Sequence, residues 1–362
     1  LSLDQTTIKN NGAGLGAKGG GIYNTAALSV NYSTISGNIA SDGGGIANVN
    51  FSGTTTLSLL LATVSGNNAT NRGGGIFSDV GVSVVITDST IAANAAATEG
   101  GGIFRQSLVT MAGSILASNS TGTTGVDLFG ALNSLGHNLI GSTLGGSGFR
   151  SDDLQNLDPQ LGPLQDNGGP TFTHALLPGS PAIDGNKPTT STSDDQRLMP
   201  RPVDANGDGT AQADIGAYEA QPTLVTLPSG ATDVTITLNG SNVDITDDST
   251  GTVILTQPLN PATPLVITGT SSDDSVTFDF SNGNPIPASG ATFNGGGSSG
   301  SGDQLVLTNG TFDSVTHVFF DSSSGKITMQ VGMTTSVLNY QSVTSGVLDL
   351  LAVTNRTYQF AA

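Results

Sequence analysis

The 362-residue sequence predicts an all-β protein: a parallel β-helix over residues 1–145, a Pro-rich capping and junction segment over 146–221, and a C-terminal all-β domain over 222–362. Three observations lead to it. The 51 glycines, the abundance of Thr, Ser and Asn, and a glutamate content limited to Glu99 and Glu219 favour short strands joined by frequent turns over helices. Two landmarks recur at a nearly constant interval through the first 145 residues. The apolar stretches are short, rich in β-branched residues and alternate with polar ones, and none reaches the roughly 18 residues of a membrane-spanning helix.

The landmarks define the first element. Gly-Gly-Gly-Ile occurs at Gly19 to Ile22, Gly43 to Ile46, Gly73 to Ile76 and Gly100 to Ile103, with a decayed copy at Gly125, Val126, Asp127 and Leu128. An apolar-x-x-Asn motif starts at Ile8, Ile35, Val64, Ile91 and Leu116, so its successive copies stand 27, 29, 27 and 25 residues apart. That interval is too long for a hairpin and suits one coil of a parallel β-helix of about five coils. Consecutive glycines permit positive φ at a sharp corner, after which Ile46, Ile76 and Ile103 point inward as first residues of strands. The Asn is expected at a second corner, tolerating the left-handed region and hydrogen-bonding from coil to coil. Between corners lie alternations such as Leu28-Ser29-Val30-Asn31-Tyr32 and Val82-Ser83-Val84-Val85-Ile86.

At these residues the chain resembles the right-handed parallel β-helix repeats of bacterial polymorphic outer-membrane and autotransported surface proteins. The second element gains proline, as in Leu157-Asp158-Pro159-Gln160-Leu161-Gly162-Pro163-Leu164. It continues through His174-Ala175-Leu176-Leu177-Pro178-Gly179-Ser180-Pro181-Ala182-Ile183-Asp184, Asp195-Gln196-Arg197, Arg201-Pro202 and Asp214-Ile215-Gly216-Ala217-Tyr218-Glu219. This string resembles the choice-of-anchor Q domain, which follows β-helix coils in bacterial surface proteins. The resemblance implies an exported, cell-surface or extracellular protein and no reaction. The third element is Thr-rich alternation, as in Val234-Thr235-Ile236-Thr237-Leu238 and Val276-Thr277-Phe278-Asp279-Phe280, and reads as a further solenoid or a sandwich.

Charge narrows the function. Lys and Arg number 10 against 28 acidic residues, giving a net charge of −18 that grows more negative along the chain. Such a surface repels nucleic acid and attracts divalent cations. No cysteine is present, so neither a disulfide nor a thiolate metal site supports the fold. The best metal candidate is Asp204-Ala205-Asn206-Gly207-Asp208-Gly209-Thr210 followed by Asp214. Side-chain oxygens of Asp204, Asn206 and Asp208 alternate, Gly209 makes the turn and Thr210 offers its carbonyl, as Ca²⁺ requires. Asp214 stands one residue short of the twelfth position of an EF-hand-type loop, which leaves a metal-free Asx-turn as the other reading. Gly269, Asp274 and Val276, and the surroundings of Asp303 and Leu305, carry fragments of a nonapeptide calcium turn that lack most of its glycines.

Catalysis on a β-helix calls for clustered carboxylates or a calcium cluster with a base. Asp4, Asp42, Asp79, Asp88, Glu99 and Asp127 fall at different coil positions, and Asp194 and Asp195 beside Arg197 are the nearest approach to an acid pair. His137, His174 and His317 lie in unrelated contexts. The expected function is therefore a noncatalytic structural or adhesive part of the bacterial cell surface, with no catalytic residues and Ca²⁺ as its one candidate cofactor. The alternatives are a polysaccharide lyase or hydrolase and a calcium-dependent carbohydrate-binding module. Leu1 is preceded by no signal segment, which reads as a processed or excised part of a longer precursor. Leu1 to Ile8 enters as a strand with no cap before it, so unless an upstream segment supplies one, a homo-oligomer or head-to-tail filament is expected, the C-terminal domain of one copy or its tail Val347 to Val353 covering the first coil of the next.

Overall fold

The computed structural model describes all residues except 52–54, 178, 186–191, 204, 206–210, 222, 229–231, 260–263, 298–299 and 362. The described residues contain strands and turns and no helix. They divide into two compact units, Leu1–Asp204 with Ala211–Ala220, and Ala205–Thr210 with Gln221–Ala362. Most of segment 146–221 therefore belongs with the coils.

Each coil of the first unit is built from four short strands. One coil runs Thr55–Leu60, Thr63–Ser65, Asn68–Arg72 and Ile76–Ser78, and the next runs Val82–Thr87, Thr90–Ala92, Ala95–Ala96 and Ile103–Arg105. They stack in parallel, Val82 beside Thr55, Thr90 beside Thr63, Ala95 beside Asn68 and Ile103 beside Ile76. These strands define four faces, taken in chain order as first to fourth. The first face holds six strands and the second seven, so the solenoid exceeds the five coils expected. The extra coil comes from weakened landmarks. Leu128–Gly136 serves the fourth and then the first face, and Leu139–Ile140 continues the second.

Strand alternation turns every second side chain inward, and the parallel register lines these up into columns. Ile22, Ile46, Ile76, Ile103 and Leu128 form one, in which Ile46, Ile76 and Ile103 are fully buried as expected. Ile35, Val64, Ile91, Leu116 and Ile140 form another. Each such side chain contributes about 1.5–3 kcal/mol through burial.

The glycine triplets act partly as expected. Only the first glycine of each copy has positive φ: Gly19, Gly43, Gly73, Gly100 and Gly125. The second and third are glycine because the chain leaves no room for a side chain. A Cβ at Gly44 would stand 2.5 Å from the Asn68 carbonyl oxygen, and one at Gly75 would meet the Asn94 side chain at 3.1 Å. The Asn corner needs a correction. The left-handed residue is the one before the asparagine, namely Asn10, Gly37, Gly66, Ala93 and Ser118. The asparagine itself faces inward and forms the coil-to-coil column.

That column runs in one direction. The backbone N–H groups of Asn11, Asn38, Asn67 and Asn94 donate to Oδ1 of Asn38, Asn67, Asn94 and Asn119 at 2.9–3.0 Å. The Asn67 side-chain amide donates forward to Asn94 Oδ1 and back to the Ile35 carbonyl, both at 2.9 Å, so its hydrogens are all used. After Asn119 no further asparagine follows. Asp127, standing where the earlier triplets have their third glycine, accepts from Asn119 N at 3.1 Å and Nδ2 at 2.9 Å. A second column follows the corner between first and second faces. Ala62 N donates to Ser89 Oγ, Ser89 N to Ser114 Oγ and Ser114 N to Asn138 Oδ1, and Asp153 accepts from Asn138. An acceptor-only carboxylate suits both ends, because each column delivers donors there.

The second unit is a further solenoid, settling the choice left open by the sequence. Thr223–Thr226, Leu265–Thr268, Ala291–Asn294 and Thr334–Gln341 stack in parallel on one side. Asp233–Asn239, Ser275–Asp279, Gln304–Thr308 and Gly346–Asp349 do so on the other. The hairpin strands Asn242–Asp247 and Thr252–Pro258 add antiparallel to the second stack. Thr311–Phe319 and Gly325–Val331 add antiparallel to the first, with Ala352–Phe360 parallel beside Thr311–Phe319. Val225, Ile267, Phe293 and Tyr340 form one inward column and Val234, Val276 and Leu305 another.

Candidate functional site

Of the expected calcium ligands, Asp204, Asn206, Asp208 and Thr210 lie outside the described residues. Asp214 is fully buried, and its two oxygens accept from the backbone N–H groups of Asp184 and Ala220. Among the described residues no group of three or more His, Asp or Glu side chains is placed to hold a metal ion. At the expected nonapeptide fragments, Asp303 Oδ1 accepts the Asp274 N–H at 2.9 Å and Asp274 Oδ2 accepts the Thr270 N–H at 2.6 Å. Both aspartates thus serve a corner of the second solenoid, and burial raises the pKa of each.

Residues 171–177, 192–203 and 211–220 run as a strap over the second face of the first solenoid. The outward hydroxyls at the start of successive second-face strands receive it. Thr34 Oγ1 donates to the Phe172 carbonyl, Thr63 Oγ1 to Gln196 Oε1 at 2.6 Å, and Thr90 Oγ1 accepts the Ala217 N–H at 3.1 Å. Ser65 Oγ meets His174 Nε2 at 2.8 Å, and burial lowers the pKa of that imidazole. His137 approaches Asp152 at 4.0 Å and His317 contacts Asp349 at 2.8 Å, so the three histidines remain apart.

Beneath the strap lies a buried ionic cluster. Arg201 reaches Asp88 at 3.4 Å and Glu219 at 3.7 Å, and donates to the Gly216 and Asp214 carbonyls. Arg197 pairs with Asp195 at 2.7 Å and lies over the Tyr218 ring at 3.6 Å. Burial pushes the Glu219 carboxyl up to about 7, and burial with the neighbouring Glu219 charge holds Asp214 well above the usual carboxylate range. Fully buried charges of this kind hold a frame together when paired and are costly when one partner is removed. Asp194, from the acid pair noted in the sequence, instead accepts from the Tyr32 hydroxyl at 3.0 Å.

An open site occurs within the second solenoid. A cavity of about 690 Å³ lies at the ends of Gly325–Val331 and Thr334–Gln341, within the size range of small-molecule sites. Lys326 and Asn339 are cross-strand neighbours on its wall, and Gly325 pairs with Tyr340. A Cβ at residue 325 would collide with the Tyr340 hydroxyl, so only glycine fits beside it there. Phe320 stands at the rim, 55% exposed. Asp321 closes the turn by accepting from the Ser324 hydroxyl at 2.7 Å, Ser323 N at 2.7 Å and Ser324 N at 2.8 Å, contacts that lower its pKa. The sequence offered one signal for this site: Lys326 and Arg356 are the only basic residues of 222–362, and Arg356 pairs with Asp349 at 3.1 Å. Among the described residues no helix is long and apolar enough to cross a membrane. Comparison of the chain with protein-family models, with curated proteins and with solved structures finds no match.

Proposed function

We propose that the protein is a noncatalytic structural or adhesive component of a bacterial cell exterior, with the first solenoid as a rigid spacer. One observation carries this reading: six buried carboxylates of the first unit are committed to its frame. Asp127 and Asp153 end the two columns, Asp88 and Asp195 pair with arginines, and Asp214 and Glu219 accept backbone N–H groups. The residues that carry the resemblance to the choice-of-anchor Q domain, among them Gln196, Arg197, Arg201 and Glu219, are the ones that fasten the strap. That role gives the motif a structural reason independent of any reaction.

Two measurements test the proposal. Antibody labelling of intact producing cells should place the protein outside the cell envelope. Incubation with neutral polysaccharides and polyuronates should release neither reducing ends nor unsaturated products, and sustained release of either would replace the proposal with a carbohydrate-active enzyme. Calcium at Asp204, Asn206, Asp208 and Thr210 is proposed on ligand spacing alone, without Asp214, whose two oxygens are taken by backbone N–H groups.

A further inference from the structure

We propose that the cavity of the second solenoid binds a neutral pyranose sugar, with Phe320 as its stacking platform and Lys326, Asn339 and Gln341 as its polar wall. The argument starts from unused hydrogen-bonding capacity. Among the described residues, the side chains of Lys326, Asn339 and Gln341 take part in no hydrogen bond or ion pair, and the buried Ser289 hydroxyl that also lines the cavity has no partner. An ammonium, two amides and the Ser289 hydroxyl together offer both donors and acceptors, matching sugar hydroxyls, which do the same.

The apolar ring of Phe320 supplies what such groups cannot, a surface for the C–H face of a pyranose. The charge balance selects the sugar class. Lys326 and Asp321 are the charged side chains lining the cavity and offset each other, while the chain as a whole carries −18, so a polyuronate is repelled and a neutral glycan is not. The wall is also held in place before any ligand arrives. Lys326 and Asn339 sit on paired strands, and the Ser289 loop is anchored by Asn284 donating to Ser336 Oγ at 2.6 Å and by the buried Ile286.

The inference deepens the adhesive reading by naming a ligand class, and it rests on that reading only for its biological meaning. Binding by a protein found inside the cell would sustain the site and sink the reading, and surface display without binding would do the reverse. The test is titration of the ¹⁵N-labelled full chain with neutral tetrasaccharides of glucose, galactose, mannose and N-acetylglucosamine, and with a trigalacturonate. At least one neutral tetrasaccharide should shift the Asn339 and Gln341 side-chain amide signals saturably. Phe320→Ala should weaken that binding about tenfold or more at an unchanged melting temperature. Lys326→Met should also weaken it, and trigalacturonate should bind more weakly than the preferred neutral sugar. The proposal is overturned if none of the neutral sugars moves these signals at about 10 mM, if Phe320→Ala binds as well as the natural protein, or if the uronate is preferred.

Discussion

The two solenoids bridge adjacent coils at their corners with different side chains. In the first unit the inner corner is lined by Asn38, Asn67, Asn94 and Asn119, each amide taking a proton from one coil and passing another on. In the second, Asp274 and Asp303 stand in a corner and Asp303 N donates to Thr344 Oγ1 at 3.3 Å. An amide both donates and accepts, so it can relay through any number of coils without charge. A carboxylate only accepts, so an aspartate side chain passes nothing on and only the backbone N–H continues the link, and burial of that carboxylate ties the coil to pH. Within the two hydrogen-bonded columns of the first unit, aspartate stands where the column stops.

The largest effect should come from the apolar column. Ile76→Asp places an unpaired carboxylate in the solenoid interior at a cost of several kcal/mol, enough to unfold neighbouring coils. Calorimetry should show the transition of the first unit lost or strongly lowered while that of the second persists. A normal melt would mean that Ile76 does not face inward.

Breaking the relay should come next. Asn67→Ala removes the acceptor for Asn38 N and Nδ2 and the donor to Asn94 Oδ1, costing about 3 kcal/mol because the groups left behind are buried. Hydrogen exchange should localise the loss to the Asn38 and Asn67 corners. In the second unit Asp303→Asn supplies the missing donor and should leave its transition unchanged or higher, which would make the two corners alike.

A smaller effect concerns pH. Glu219 has its pKa raised from 4.5 to about 7 in the folded strap, so the native state keeps a proton that the unfolded chain releases. Its contribution to stability is therefore present below pH 4.5 and declines as pH rises to about 7, beyond which it is flat. Glu219→Gln should flatten the melting temperature of the first unit across that window. Asp274 and Asp303, raised by burial, should give the second unit a decline in the same direction, which Asp303→Asn should reduce. Smallest of all, chelation should lower the melting temperature by about 2 °C if the Asp204 loop holds Ca²⁺. An identical melt with no bound ion would remove calcium from the account.

Legibility in the sequence followed regularity of spacing. The landmarks of the first unit repeat within a few residues of a fixed interval, and from them the coils, the inward isoleucines and the asparagine column were readable. The second unit has equally regular rungs, but Thr223 pairs with Leu265, Leu265 with Ala291 and Ala291 with Leu338. Hairpins inserted between rungs make these intervals unequal and hide the period. The strap was illegible for another reason. Thr63 meets Gln196, and Arg201 meets Asp88, across distances in sequence that no local pattern spans. The cavity joins Ser289 to Asn339 and Gln341 in the same way, and each of these residues taken singly looks like an ordinary strand or loop residue.

The one-way course of the asparagine column bears on how such a rod can change length. Every junction between Asn38 and Asn119 has the same polarity and the same partners, so a duplicated coil spliced in at any of them finds its donors below and acceptors above already in place. The stop travels separately, in the single replacement of a glycine by Asp127. Growth by copying and termination by one carboxylate are thus independent instructions, and a longer or shorter relative of this rod needs no new ending.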